Sequence, residues 1–86
     1  MKINEKEPIL EKQEFLVRLG KLLKEARERK SLTLRQAAEM VGVTYESIRN
    51  WETAKRSIEV TNLVKIMHIL DIDISVLNYI AHYEKL

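Results

Sequence analysis

The chain has 86 residues, 45% of them hydrophobic and 33% charged, with two glycines, one proline, no cysteine and a net charge of +2. That length suits one compact domain, and the scarcity of glycine and proline favours helices. Disulfides and thiolate metal sites are excluded, which leaves the cytoplasm as the expected compartment; no apolar signal core or run near the roughly 18 residues of a membrane span is present.

Charge is unevenly spread along the sequence. Residues 1–14 carry three Lys and four Glu, residues 15–56 carry ten Lys or Arg and five Glu, and residues 57–86 carry two Lys and four acids. A basic middle with acidic ends points to a polyanion partner, because an electrostatic footprint depends on clustering more than on total charge. A domain of this size buries a modest fraction of its surface, so a second subunit would add stability and a homodimer is expected.

Residues 1–11 read as a flexible N-terminal arm and residues 12–86 as a single folded domain. From Gln13 to Lys30 the apolar side chains of Phe15, Leu16, Leu19, Leu22, Leu23 and Ala26 recur at three- and four-residue steps, which predicts a first helix. Thr33 followed by Gln36 has the form of a capping box and opens a second helix over Leu34 to Val41. Gly42 supplies a left-handed stop, and Thr44 can cap a third helix, Tyr45 to Glu52, through the amide of Glu46 or Ser47. Thr53 to Glu59 lacks apolar periodicity and reads as a loop. Val60, Leu63, Val64, Ile66, Met67 and Leu70 mark a fourth, central helix. Asp73 is the expected cap of a fifth, through Val76, Leu77, Ile80 and Ala81, with Tyr79, Tyr83 and Leu86 left as apolar surface for an interface. Met40 and Met67 read as core fillers.

Two short helices joined by a glycine-led turn form a helix-turn-helix arrangement, in which the second helix can enter the DNA major groove. At about 100° per residue, Ile48 and Trp51 share one side of the third helix with Thr44 and Glu52, while Glu46, Arg49, Asn50 and Thr53 share the other. Arg can donate two hydrogen bonds to guanine, Asn can pair with adenine, and Glu can accept from the cytosine amino group. Tyr45, at the helix tip, can lie against a thymine methyl or bond a phosphate. The same pattern also reads as a solvated face on which Glu46 and Arg49 pair.

From about Leu19 to Leu77, roughly two thirds of the chain, the sequence resembles the lambda repressor and Cro (Xre) family. The segments LLKEARERKSLTLRQAAEMVGV, TYESIRNWE, AKRS and LVKIMHILDIDISVL carry the likeness. The resemblance implies an all-α, five-helix lambda-repressor-like domain, with its helix-turn-helix over about 34–52. It also implies a dimer on a palindromic operator in double-stranded DNA. Carried over by position, Thr44, Tyr45, Glu46, Arg49 and Asn50 become candidate base readers. Thr33, Arg35, Thr53, Lys55 and Arg56 become candidate backbone contacts, and Arg27 and Glu52 match the family's structural ion pair. Leu77, Tyr79, Ile80 and Tyr83 form the expected dimer interface. Leu34 stands where relatives have a phosphate-bonding glutamine, Ala54 where glycine is frequent and Ile58 where proline is frequent.

His68 and His82 have no partners at zinc-like spacing, and Ser31, Ser47, Ser57 and Ser75 lack a nucleophile elbow or a convincing base. No glycine-rich phosphate loop occurs. The chain is therefore not expected to be an enzyme or to carry a metal or cofactor. The competing reading is a protein-interaction module of the same fold, antitoxin-like or an accessory subunit, holding a protein partner through helix 5 with little DNA binding.

Overall fold

The structure, a computed structural model, describes residues 11–82, so the N-terminal arm except Glu11, and Tyr83 and Leu86, lie outside the described residues. Five helices follow in order: α1 (Lys12–Arg29), α2 (Leu34–Val41), α3 (Tyr45–Glu52), α4 (Val60–Ile69) and α5 (Val76–Ile80). Each long apolar stripe in the sequence becomes the buried side of one of them. Leu19, Leu23 and Ala26 of α1 meet Ala38 and Val41 of α2, Ile48 and Trp51 of α3, and Ile66, Met67 and the following Leu70 of α4. Leu23, Ile48, Ile66 and Met67 are fully buried, and burial of one such side chain stabilises the fold by about 1.5–3 kcal/mol.

Local chemistry sets the boundaries. Thr33 accepts from the Gln36 amide at 3.0 Å while the Gln36 side chain accepts from the Thr33 amide at 2.8 Å, so both arms of the capping box form at the start of α2. Gly42 closes α2 at φ 89°, a left-handed conformation that a side chain disfavours. Three further helix ends reach the same region without glycine, at Ser31 (φ 58°), Ala54 (φ 62°) and Asp71 (φ 58°).

Two expectations change. Met40 is not in the core. It is 56% exposed, because the buried stripe of α2 runs through Ala37, Ala38 and Val41 and turns Met40 to the side. Asp73 does not directly precede α5. Its carboxylate accepts from the Ser75 amide at 2.8 Å, which holds it below its ordinary pKa, and closes a tight turn before the helix begins at Val76. Helix α5 is therefore only five residues long, and Leu77 and Ile80 pack against the chain's own core.

α3 is the element on which the rest converges. It packs against both α1 and α2, while α4 braces α2 and α5 lies against α1. No helix among the described residues is long and apolar enough to cross a membrane.

Candidate nucleic-acid interface

The position of α3 is fixed from behind. Arg27 of α1 donates from Nε to Glu52 Oε2 at 2.6 Å and from Nη2 to Glu52 Oε1 at 3.0 Å, while Nη1 donates to the Leu32 carbonyl at 2.8 Å. One guanidinium thus ties α1, the α1–α2 turn and the last residue of α3. The two side chains are only 10% and 6% exposed, and the hydrogen bonds that Arg27 donates to the Glu52 carboxylate push it above its ordinary pKa. Gly20 permits this approach. A Cβ there would stand 2.5 Å from the Glu52 carbonyl oxygen and 2.7 Å from that of Trp51.

The turn and caps fix the front. Thr44 Oγ1 accepts from the Ser47 amide at 3.2 Å and lies 3.0 Å from Ser47 Oγ, so this hydroxyl is engaged in starting α3. Thr53 donates to the Arg49 carbonyl at 2.8 Å, which engages its hydroxyl in ending the helix. Asn50 is half-buried, and its carbonyl accepts from the amides of Lys55 at 2.8 Å and Arg56 at 3.4 Å. The basic loop is thereby tied to the helix it follows. Gln13, at the start of α1, donates to the Ala54 carbonyl at 3.3 Å and fastens the loop from the other side.

The candidate base readers consequently differ in freedom. Tyr45, Glu46 and Arg49 are exposed and, among the described residues, their side chains form no hydrogen bond to a cap or loop; Thr44 is exposed but engaged, and Asn50 is partly covered. Among the candidate backbone contacts, Thr33, Arg35, Thr53, Lys55 and Arg56 are all exposed. Thr33 accepts within its capping box, which leaves the hydroxyl proton available to an outside acceptor. Arg35 lies over the face of Tyr45, with its guanidinium carbon 4.9 Å from the ring centroid. Of the residues assigned to a dimer interface, Tyr79 is 70% exposed, whereas Leu77 and Ile80 are half-buried.

Three contributors lie outside the residues that the sequence pattern singles out. Gly20 carries a recognisable signal, since an isolated glycine inside a helical pattern marks a close approach. Gln13 and the Arg35–Tyr45 stack carry none, because each depends on residues brought together by the turns. Among the described residues, no cluster of three or more histidine, aspartate or glutamate side chains is placed to hold a metal ion.

Comparison with known proteins agrees with this geometry. The helix-turn-helix family profile matches residues 23–77. The restriction-modification controller protein C.AhdI from Aeromonas hydrophila superimposes with a TM-score of 0.67 at 29% identity, covering 72% of this chain and 90% of that one. The clp gene regulator ClgR from Corynebacterium glutamicum gives a TM-score of 0.69 at 23% identity, covering 85% of this chain and 74% of that one. A variant of the controller protein C.Esp1396I, bound to its highest affinity operator site, gives 0.67 at 21% identity, covering 77% and 87%. The last two likenesses concern the fold alone, and a comparison with curated protein sequences yields no significant match. A family match over more than half the chain, a glycine-turned helix pair and an outward α3 agree: the chain belongs to the lambda repressor/Xre-type helix-turn-helix family of DNA-binding transcription regulators.

Proposed function

We propose that the protein is a sequence-specific regulator that binds double-stranded DNA as a homodimer, with one α3 in each of two successive major-groove faces of a palindromic operator. The observation that carries this reading is the outward face of α3. Tyr45, Glu46 and Arg49 stand exposed on a helix clamped from behind by Ile48, Trp51 and the Arg27–Glu52 pair. Such a face can read base edges because its backbone is already fixed, so little ordering is left to binding.

The roles divide by freedom. Arg49 donates to guanine and Glu46 accepts from a cytosine amino group, while Tyr45 stands at the helix tip beside them. Asn50 reads only what its half-buried amide can reach, and Thr44 contributes chiefly by fixing the helix start. Thr33, Arg35, Lys55 and Arg56 engage phosphates and set the register, with Thr53 beside them. Two copies bring half-sites about 34–36 Å apart into register. Since Leu77 and Ile80 are half-buried against the core, the dimer contact centres on Tyr79.

Selection of bound duplexes from a random pool tests the reading. The expected result is an enriched palindrome whose binding weakens steeply as salt rises. Failure to enrich any sequence would remove it in favour of the second reading, a protein-interaction module. That reading is favoured by the exposure of Tyr79 and Ile74, 70% and 55%, around α5.

A further inference from the structure

Arg35 is the second residue of α2 and Tyr45 the first of α3, and the turn between them brings the guanidinium carbon to 4.9 Å from the ring centroid. Glu39 stands one helical turn after Arg35 and lines the same shallow cleft, together with Ala38, Val43 and Tyr45. Spacing alone would favour an Arg35–Glu39 ion pair. Among the described residues none forms, and the guanidinium lies on the aromatic face instead. A guanidinium that lies flat over a tyrosine face keeps its N–H groups free at its edge, a planar arrangement that an ammonium, though it too can sit over a ring, cannot take. Both side chains are solvent-facing, so the stack orders two groups on the surface and not in the core.

We propose that Arg35 and Tyr45 act as one unit in DNA binding. Tyr45 is a positioning residue that holds the Arg35 guanidinium ready for a phosphate oxygen, so its main contribution passes through Arg35 and not through its hydroxyl. This rests on the DNA-binding reading above and deepens it: the first residue of α3 serves the backbone contact of α2. The pair joins the two helices across the turn, so the phosphate contact and the reading face keep a fixed relative position. A free arginine would lose side-chain entropy on binding, and the stack removes part of that loss beforehand.

A double-mutant cycle on the selected duplex tests the coupling. Arg35→Ala is expected to weaken binding about tenfold and to lower the salt slope by about one. Tyr45→Leu is expected to weaken it about threefold by losing the stack. The double variant should bind like Arg35→Ala alone, and Tyr45→Phe, which keeps an aromatic face, should lie near the wild type. Arg35→Lys, which keeps the charge, should fall near Tyr45→Leu if the planar contact matters, and near the wild type if only charge does; the second result overturns the proposal. Additive losses in the double variant would overturn it too, as would a Tyr45→Phe loss equal to that of Tyr45→Leu. Arg49→Ala separates the levels. If it shifts base preference while Arg35 and Tyr45 behave additively, the coupling is wrong and the DNA reading stands; if the wild-type chain shows no salt-sensitive duplex binding, both fall.

Discussion

The two faces of α3 are built from the same eight residues and face opposite demands. On one, Ile48 is fully buried, Trp51 is 8% exposed and the Glu52 carboxylate takes a bidentate pair from Arg27. On the other, Tyr45, Glu46 and Arg49 project outward with no hydrogen bond to cap or loop among the described residues. The inner face therefore governs whether the helix is held, and the outer face what it can recognise. Substitutions that respect the division should change stability or recognition, but not both.

The largest effect is expected at Arg27. Replacement by alanine leaves the Glu52 carboxylate buried without its partner and strips the Leu32 carbonyl of a donor, a loss of about 3–5 kcal/mol. Urea denaturation measures it. A loss under about 1 kcal/mol would instead rank the pair with exposed bridges such as Lys30–Asp71. Gly20→Ala comes next. Alanine favours a helix by about 1 kcal/mol, but its Cβ would press on two backbone carbonyls at the end of α3, which cannot swing aside as a side chain would. Overpacking should win, with a net loss of about 1–2 kcal/mol in thermal unfolding. Because α3 itself must shift, this variant should also bind DNA less well, and unchanged binding would mean the helix end is not held by this contact.

Much of the architecture was legible in the sequence because it is set locally. The capping box at Thr33 and Gln36, the glycine stop at Gly42 and the threonine cap at Thr44 each need only neighbours within four residues. Apolar periodicity likewise placed Leu23, Ile48, Ile66 and Met67 inward. What sequence could not supply was how far a stripe extends and what meets it. Met40 sits beside a stripe made narrow by Ala37 and Ala38, and Leu77 and Ile80, expected at a dimer interface, pack on the chain's own core where α5 lies against α1. On the candidate interface, residue types indicated which side chains can bond a base, but not that Thr44 and Thr53 spend their hydroxyls on helix ends, or that Arg35 meets Tyr45. Those depend on turn geometry.

A gain is expected at the loop that joins the two faces. Ala54 sits at φ 62°, which costs a residue with a Cβ about 1–2 kcal/mol, while glycine adds flexibility to the unfolded chain. Ala54→Gly should raise stability by roughly 0.5–1 kcal/mol, read as a higher melting temperature. The Gln13 and Asn50 hydrogen bonds that hold the loop use backbone groups of residues 54–56 and survive the change, so DNA affinity should remain close to wild type.

The smallest effect on stability, and the sharpest test of the division, belongs to the outer face. Arg49 and Glu46 are exposed and form no ion pair within 4.0 Å among the described residues. Replacing either with alanine should therefore leave unfolding within about 0.5 kcal/mol of wild type. Recognition should respond differently to the two. Arg49→Ala is expected to relax the preference at one base pair by about 1–3 kcal/mol, since a bidentate donor to guanine is lost. Glu46→Ala should also relax one position, but raise affinity for unrelated DNA, because a carboxylate facing the groove repels phosphate unless a cytosine amino group meets it. Competition between the selected duplex and unrelated DNA resolves both changes. If Glu46→Ala weakens all duplexes alike, the carboxylate holds the surface together and the two faces of α3 are not independent.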